Sequence, residues 1–145
     1  MKKIVFLLFI SITVLSCNSD DGNNNSSDNP FLTIPPVNLN LNLNLPEYND
    51  LNFPGNSVII PSQGIRGIVV YNVNNSLYTA FELSDPNHSP NSCSKMLIEG
   101  IVATCQCDDE NRYDIVTGQH QSDQSRYPMQ QYRTERAGDV VHVFN

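Results

Sequence analysis

Hydrophobic positions along the chain fall into three regimes. Ile4 to Leu15 is a run of twelve mostly apolar residues. From Val37 to Leu45 the chain reads Val-Asn-Leu-Asn-Leu-Asn-Leu-Asn-Leu, a strict two-residue alternation that places all five apolar side chains on one face of a strand. Beyond Pro46 come short apolar or alternating runs separated by turn formers. They predict strands at Ser57–Ile60, Gly67–Asn72, Leu77–Leu83, Ile101–Cys105, Arg112–Val116, Gln131–Arg136 and Val140–Phe144. Pro61-Ser62-Gln63-Gly64 punctuates the early strands, and Asn74-Asn75-Ser76 and Ala137-Gly138-Asp139 fit hairpin turns. No window carries a helical period beyond ten residues. Seven short strands in this span predict an all-β fold, a small antiparallel sandwich or barrel.

The domain organisation follows from the same pattern. Residues 1–16 read as a signal peptide, 17–45 as a low-complexity tether, and 46–145 as one folded domain. The 145-residue length allows one ordinary domain. Asn18 to Pro30 has no apolar residue apart from proline and cannot offset its ordering entropy, so it reads as linker. The leucine alternation at 37–45 reads as an edge strand laid against the domain, since an uncovered leucine face invites aggregation. The other reading is a strand that captures a partner.

The leader has Lys2 and Lys3 ahead of an apolar stretch too short to span a bilayer, which needs roughly 20 residues. It ends at Val14-Leu15-Ser16-Cys17, which looks like the lipobox of bacterial lipoproteins. Cys17 is therefore expected to carry the lipid, and the protein to sit on the outer membrane or cell surface, or on a periplasmic face. An ordinary signal peptide with a chance cysteine is the plainer reading. Asn18-Ser19-Asp20-Asp21-Gly22 resembles the acidic export signals of some surface lipoproteins. Eight basic against fifteen acidic side chains give −7, and losing Lys2 and Lys3 leaves −9. That charge argues against nucleic acid as a partner. The expected partners are the membrane and an unidentified envelope protein.

Cys93, Cys105 and Cys107 remain after Cys17. An exported setting permits disulfides, and an odd count leaves at least one thiol over. Cys105 and Cys107 share one face of an extended segment and are strained as a pair. Cys93 bridged to either is the sensible pairing. No nucleophile elbow, phosphate loop or thiol-hydrolase motif is present. His120 lies in a polar loop, and His142 alternates with valines at a solvent-facing strand position, so neither reads as a catalytic base. The run Asp108-Asp109-Glu110 reads as a solvated turn, with a loop cation site as the sharper alternative.

The order of features is more specific. Leu77–Leu83 leads into Ser84-Asp85-Pro86-Asn87-His88, then Gly100-Ile101-Val102-Ala103-Thr104-Cys105-Gln106-Cys107-Asp108, Arg112 to Thr117-Gly118, Tyr127-Pro128-Met129 and a closing hairpin. This resembles a Rieske domain over Pro54 to Asn145. In that family a Cys-x-His loop and a Cys-x-x-His loop, often Cys-Pro-Cys-His, hold a [2Fe–2S] cluster, and some members clamp the loops with a disulfide. The resemblance places His88 as the histidine of the first loop and Cys105 as the cysteine of the second. Pro86 stands where the first loop's cysteine belongs, with Asp85 beside it, and Asp108 where the second histidine belongs. Cys107 matches one clamping cysteine, and Cys93 lies near the place of the other, so the resemblance implies a Cys93–Cys107 disulfide.

A Rieske cluster needs two thiolates on one iron and two imidazoles on the other. His88, Cys105 and Asp108 are the candidate cluster-site positions, and Asp108 offers a hard anionic oxygen in place of an imidazole. The expectation is a Rieske-like module without a cofactor, serving as a binding or structural part of an envelope assembly. No catalytic residue is assigned. The alternatives are electron transfer through a [2Fe–2S] cluster and a rearranged zinc or iron site drawn from His88, Cys93, Cys105, Cys107 and Asp108.

Overall fold

The computed structural model describes residues 29–145. The leader, Cys17 and the first part of the tether lie outside the described residues. Among the described residues, nine strands form two antiparallel sheets. The strands are β1 Asn38–Asn42, β2 Ser57–Ile60, β3 Ile68–Asn72, β4 Tyr78–Glu82, β5 Leu97–Glu99, β6 Val102–Thr104, β7 Arg112–Asp114, β8 Gln131–Ala137 and β9 Val140–Phe144. The larger sheet runs β1-β9-β8-β4-β3-β2, and the smaller runs β5-β6-β7. A single 3₁₀ helix, Pro46–Asn52, links β1 to β2 and buries Leu51.

β3 and β4 are buried along their whole length, because both faces are covered. Alternation therefore sorts their side chains into two cores. Ile68, Val70, Tyr78 and Ala80 face one core, together with Leu41, Leu43, Tyr132, Val141 and Val143. Val69, Tyr71 and Phe81 face the other, with Met96, Ala103, Cys105, Tyr113 and Ile115. β4 pairs with β8 in register at Ala80–Tyr132 and Phe81–Gln131, and the Thr134 hydroxyl donates to the Tyr78 carbonyl at 2.6 Å. The large sheet bends at this short junction, and its β1-β9-β8 half closes over its β2-β3-β4 half to enclose the first core. The second core lies between the large sheet and the small one. The Thr79 hydroxyl ties the layers together by donating to the Ile115 carbonyl at 2.8 Å.

The folded domain starts before Pro46. β1 pairs in antiparallel register with β9, from Asn38 opposite Phe144 to Asn42 opposite Val140. Val37, Leu41 and Leu43 are core residues, Leu39 is half-buried, and Leu45 is exposed. Leu32 is buried as well. The boundary at 46 corrects to the low thirties, because β9 supplies the partner edge that the leucine face needs. β5 is also additional to the expected strands. It is three residues long, and its Leu97 is half exposed, so it left little apolar signal.

Among the described residues, no helix is long and apolar enough to cross a membrane.

Candidate functional site

Two loops meet at one end of the small sheet. The first runs from Leu83 to Met96 between β4 and β5, and the second from Cys105 to Asn111 between β6 and β7. The first is rooted by Glu82 at the end of β4, which is fully buried. Its Oε1 accepts from the Arg66 and Ser84 amides at 2.8 and 3.0 Å, and its Oε2 from the Ile65 amide and Tyr132 hydroxyl, both at 2.8 Å. Four donors hold one carboxylate, which fixes the exit of β4. Burial, then the Glu82 carboxylate, holds the Tyr132 phenol well above its ordinary range.

A disulfide joins Cys93 of the first loop to Cys107 of the second, with 5.0 Å between Cα atoms. Cys105 is the free cysteine among the described residues and is buried. Burial is the main force on its thiol. The Cys107 amide opposes it, the nearby Asp85 adds to it, and the thiol is pushed up to about 12. In the metal-free protein Cys105 is therefore a neutral, poorly nucleophilic thiol at ordinary pH.

His88 Nε2 lies 3.3 Å from Cys105 Sγ, 3.3 Å from Asp109 Oδ2 and 3.8 Å from Asp85 Oδ2. Its Nδ1 lies 3.2 Å from the Ser89 carbonyl oxygen. When Nδ1 carries the proton and donates to that carbonyl, a lone pair on Nε2 faces the thiol and the carboxylates.

Asp85 is fully buried and is positioned by its neighbours. Its Oδ1 accepts from the Tyr113 hydroxyl at 2.9 Å and the Asn87 amide at 2.7 Å, and its Oδ2 from Asn111 Nδ2 at 3.0 Å. Asn111 Nδ2 also donates to Asp109 Oδ2 at 2.9 Å, so one side-chain amide aligns both carboxylates. His120 fixes the amide's orientation. Its Nδ1 accepts from the Ser122 and Asp123 amides, which leaves Nε2–H to donate to Asn111 Oδ1 at 3.3 Å. The His120 ring stands edge-on to Tyr113 at 5.1 Å. Asn87 links the site to the loop after β7, donating to the Tyr113 hydroxyl and the Tyr127 carbonyl and accepting from the Tyr127 amide.

Of the residues singled out in the sequence, His88 and Cys105 are brought into contact. Asp108 is exposed and lies outside the cluster; the second-loop carboxylate that turns inward is Asp109. Between Asp109 and Asn111, Glu110 adopts a left-handed backbone with φ 54°. Cys107 comes close to His88 and Cys105, but its sulfur is bonded to Cys93. His142 sits on β9 opposite Asn40 and Glu135, on the far sheet. Asn111 and Glu82 were not read as site residues. A lone asparagine in a turn and a glutamate in a strand carry no local signal of four-donor or two-acceptor networks.

No family model and no curated protein matches the chain. Among solved structures, it is similar to a chain in the complex of reduced oxygenase and oxidized ferredoxin in carbazole 1,9a-dioxygenase, at 23% identity over 63% of this chain and 90% of that one, with a TM-score of 0.43. It is similar to the ferredoxin of carbazole 1,9a-dioxygenase from Nocardioides aromaticivorans IC177, at 16% identity over 74% and 95%, with a TM-score of 0.46. A ferredoxin of Sphingomonas yanoikuyae B1 is similar at 17% identity over 64% and 88%, with a TM-score of 0.43. The fold is all-β, two antiparallel sheets with two loops joined by a disulfide at the site region.

The donor set does not fit a Rieske cluster. That cluster takes two thiolates on one iron and two imidazoles on the other. Here one thiol and one imidazole are in direct contact, and the neighbouring donors are carboxylates. Pro86 has no donor side chain, and Cys107 is held in the disulfide.

Proposed function

We propose that this protein is a lipid-anchored envelope protein whose Rieske-like domain works as a binding or structural module and not as a conventional [2Fe–2S] electron carrier. One observation carries the reading. The loop ends place a single thiol 3.3 Å from a single imidazole, where a cluster requires a pair of each on separate irons. The Cys93–Cys107 disulfide and the Asn111-centred hydrogen bonds then hold the loops together without iron. The lipobox-like Val14-Leu15-Ser16-Cys17 supports the anchor, with Cys17 as its attachment point. Multiple acyl chains, at about 0.8 kcal/mol per buried methylene, hold a protein of this size firmly on a bilayer.

The test uses the full chain, made in iron-replete cells and purified in detergent. A colourless protein, silent in EPR after reduction, is the expected result. Stoichiometric iron and acid-labile sulfide with a reducible visible spectrum would establish the electron-transfer reading in its place. Metabolic labelling with a palmitate analogue tests the anchor. Label should be incorporated and should disappear in Cys17→Ala; label retained in that variant excludes Cys17 as the lipid site.

A further inference from the structure

Four side chains of different chemistry point their donor atoms at one place. Asp85, His88, Cys105 and Asp109 each contribute one ligand atom, and all four atoms lie within 4.8 Å of one another. Typical bond lengths to a tetrahedral zinc ion, about 2.3 Å to sulfur and about 2.0–2.2 Å to nitrogen and oxygen, require ligand-to-ligand separations of about 3.4–3.6 Å. The separations from His88 Nε2 are 3.3 Å to Cys105 Sγ, 3.3 Å to Asp109 Oδ2 and 3.8 Å to Asp85 Oδ2. The three separations from His88 Nε2 match that spacing to within a few tenths of an ångström, and the remaining ones lie within 4.8 Å.

The surrounding hydrogen bonds are those a metal site uses to orient its ligands. His88 presents Nε2 inward while Nδ1 faces the Ser89 carbonyl. The Asp85 and Asp109 carboxylates are both aligned by Asn111 Nδ2, and Asp85 is held further by Tyr113 and Asn87. Asp85 and Cys105 are buried, while His88 and Asp109 keep 23% and 29% of their side chains exposed, which leaves an entry path.

We propose that this site binds a single divalent cation of the zinc class through Cys105 Sγ, His88 Nε2, Asp109 Oδ2 and Asp85 Oδ2. On binding, the Cys105 sulfur bonds to the ion and its proton passes to solvent. A mixed sulfur, nitrogen and oxygen set suits zinc or cobalt and not magnesium or calcium, which take oxygen ligands alone. The ligand set differs from that of a cluster at two positions, where the carboxylates of Asp85 and Asp109 replace a second thiolate and a second imidazole. The proposal rests on the cluster-free reading above.

The test titrates chelator-treated full chain with zinc against a chromophoric chelator, then repeats the titration with cobalt(II). One zinc per chain is expected, unaffected by excess magnesium, and the cobalt form should show a thiolate-to-cobalt charge-transfer band. Cys105→Ser should abolish that band and weaken zinc binding by more than about a hundredfold, given that loss of even an outer-shell partner costs 10–100-fold. Asp109→Asn and His88→Ala, at partly exposed positions, should weaken it by at least about tenfold with unchanged melting of the metal-free protein. Zinc bound equally by wild type and Cys105→Ser, or a cobalt spectrum without the thiolate band, overturns the proposal. Stoichiometric iron and sulfide in the protein as purified defeats the cluster-free reading itself. An iron-free protein that also fails to bind zinc defeats only the cation site.

Discussion

Glu82 is the residue on which the site depends without taking part in it. Its buried carboxylate accepts four donors, and replacing it strands each of them at a cost of about 1–3 kcal/mol per orphaned group. Glu82→Ala is expected to lower stability by at least about 4 kcal/mol, read by chemical denaturation. Glu82→Gln should lose less, since it keeps the shape but turns one amide group toward a donor. Tyr132, bonded to Glu82, gives a pH signature. Its phenol sits above its ordinary value of 10.0 in the native state because of burial and the adjacent carboxylate. The native state therefore holds this proton more tightly than the unfolded chain does. Its contribution is complete below pH 10.0 and is lost as pH rises through the raised native value. The melting temperature should fall above about pH 10, and less steeply in Tyr132→Phe; equal alkaline slopes in the two proteins would contradict this assignment. At this scale the sequence was legible only where chemistry is distinctive. His88 and Cys105 could be marked because imidazoles and thiols are rare, whereas which of the adjacent Asp108 and Asp109 turns inward is set by the fold of the turn, which no local pattern announces.

The elements were more legible than the contacts between them. Seven strand positions were visible because apolar runs ended at turn formers, and the structure places strands at all of them. The leucine alternation was visible as one apolar face, but its partner β9 lies about a hundred residues away in sequence, beyond any periodicity argument. Close packing between layers tests the arrangement. Gly118 follows β7 with φ +75°, and a Cβ there would lie 2.5 Å from Cε1 of the buried Phe81. Gly118→Ala should cost about 2–4 kcal/mol through strain and overpacking together. The loop staple gives a second prediction. The Cys93–Cys107 bond spans 14 residues, and a loop of that size is worth about 3 kcal/mol in the chain-entropy picture. Cys93→Ser with Cys107→Ser should lose about that much, measured by denaturation without reductant. Cys105 should resist a thiol reagent in the native protein and react once the chain is denatured, because it is buried and its thiol is pushed up to about 12.

For the molecule as a whole, the tether and the site share one end. Asn29 donates to the Pro86 carbonyl at 2.8 Å, and the Phe31 ring meets Tyr127 edge-on at 6.2 Å. Only eleven residues lie between Cys17 and Asn29, a reach of at most about 43 Å. A lipid on Cys17 would therefore keep the two loops close to the bilayer. The order of strands, loops and turns was visible because apolar runs and turn formers mark it along the chain, whichever residues occupy the loop ends. That the loop ends do not hold a [2Fe–2S] cluster is the proposal at the centre, and elemental analysis of the purified full chain tests it most directly. Iron and acid-labile sulfide, measured per chain after expression in iron-replete cells, should both be absent. Both present in stoichiometric amounts would contradict the account.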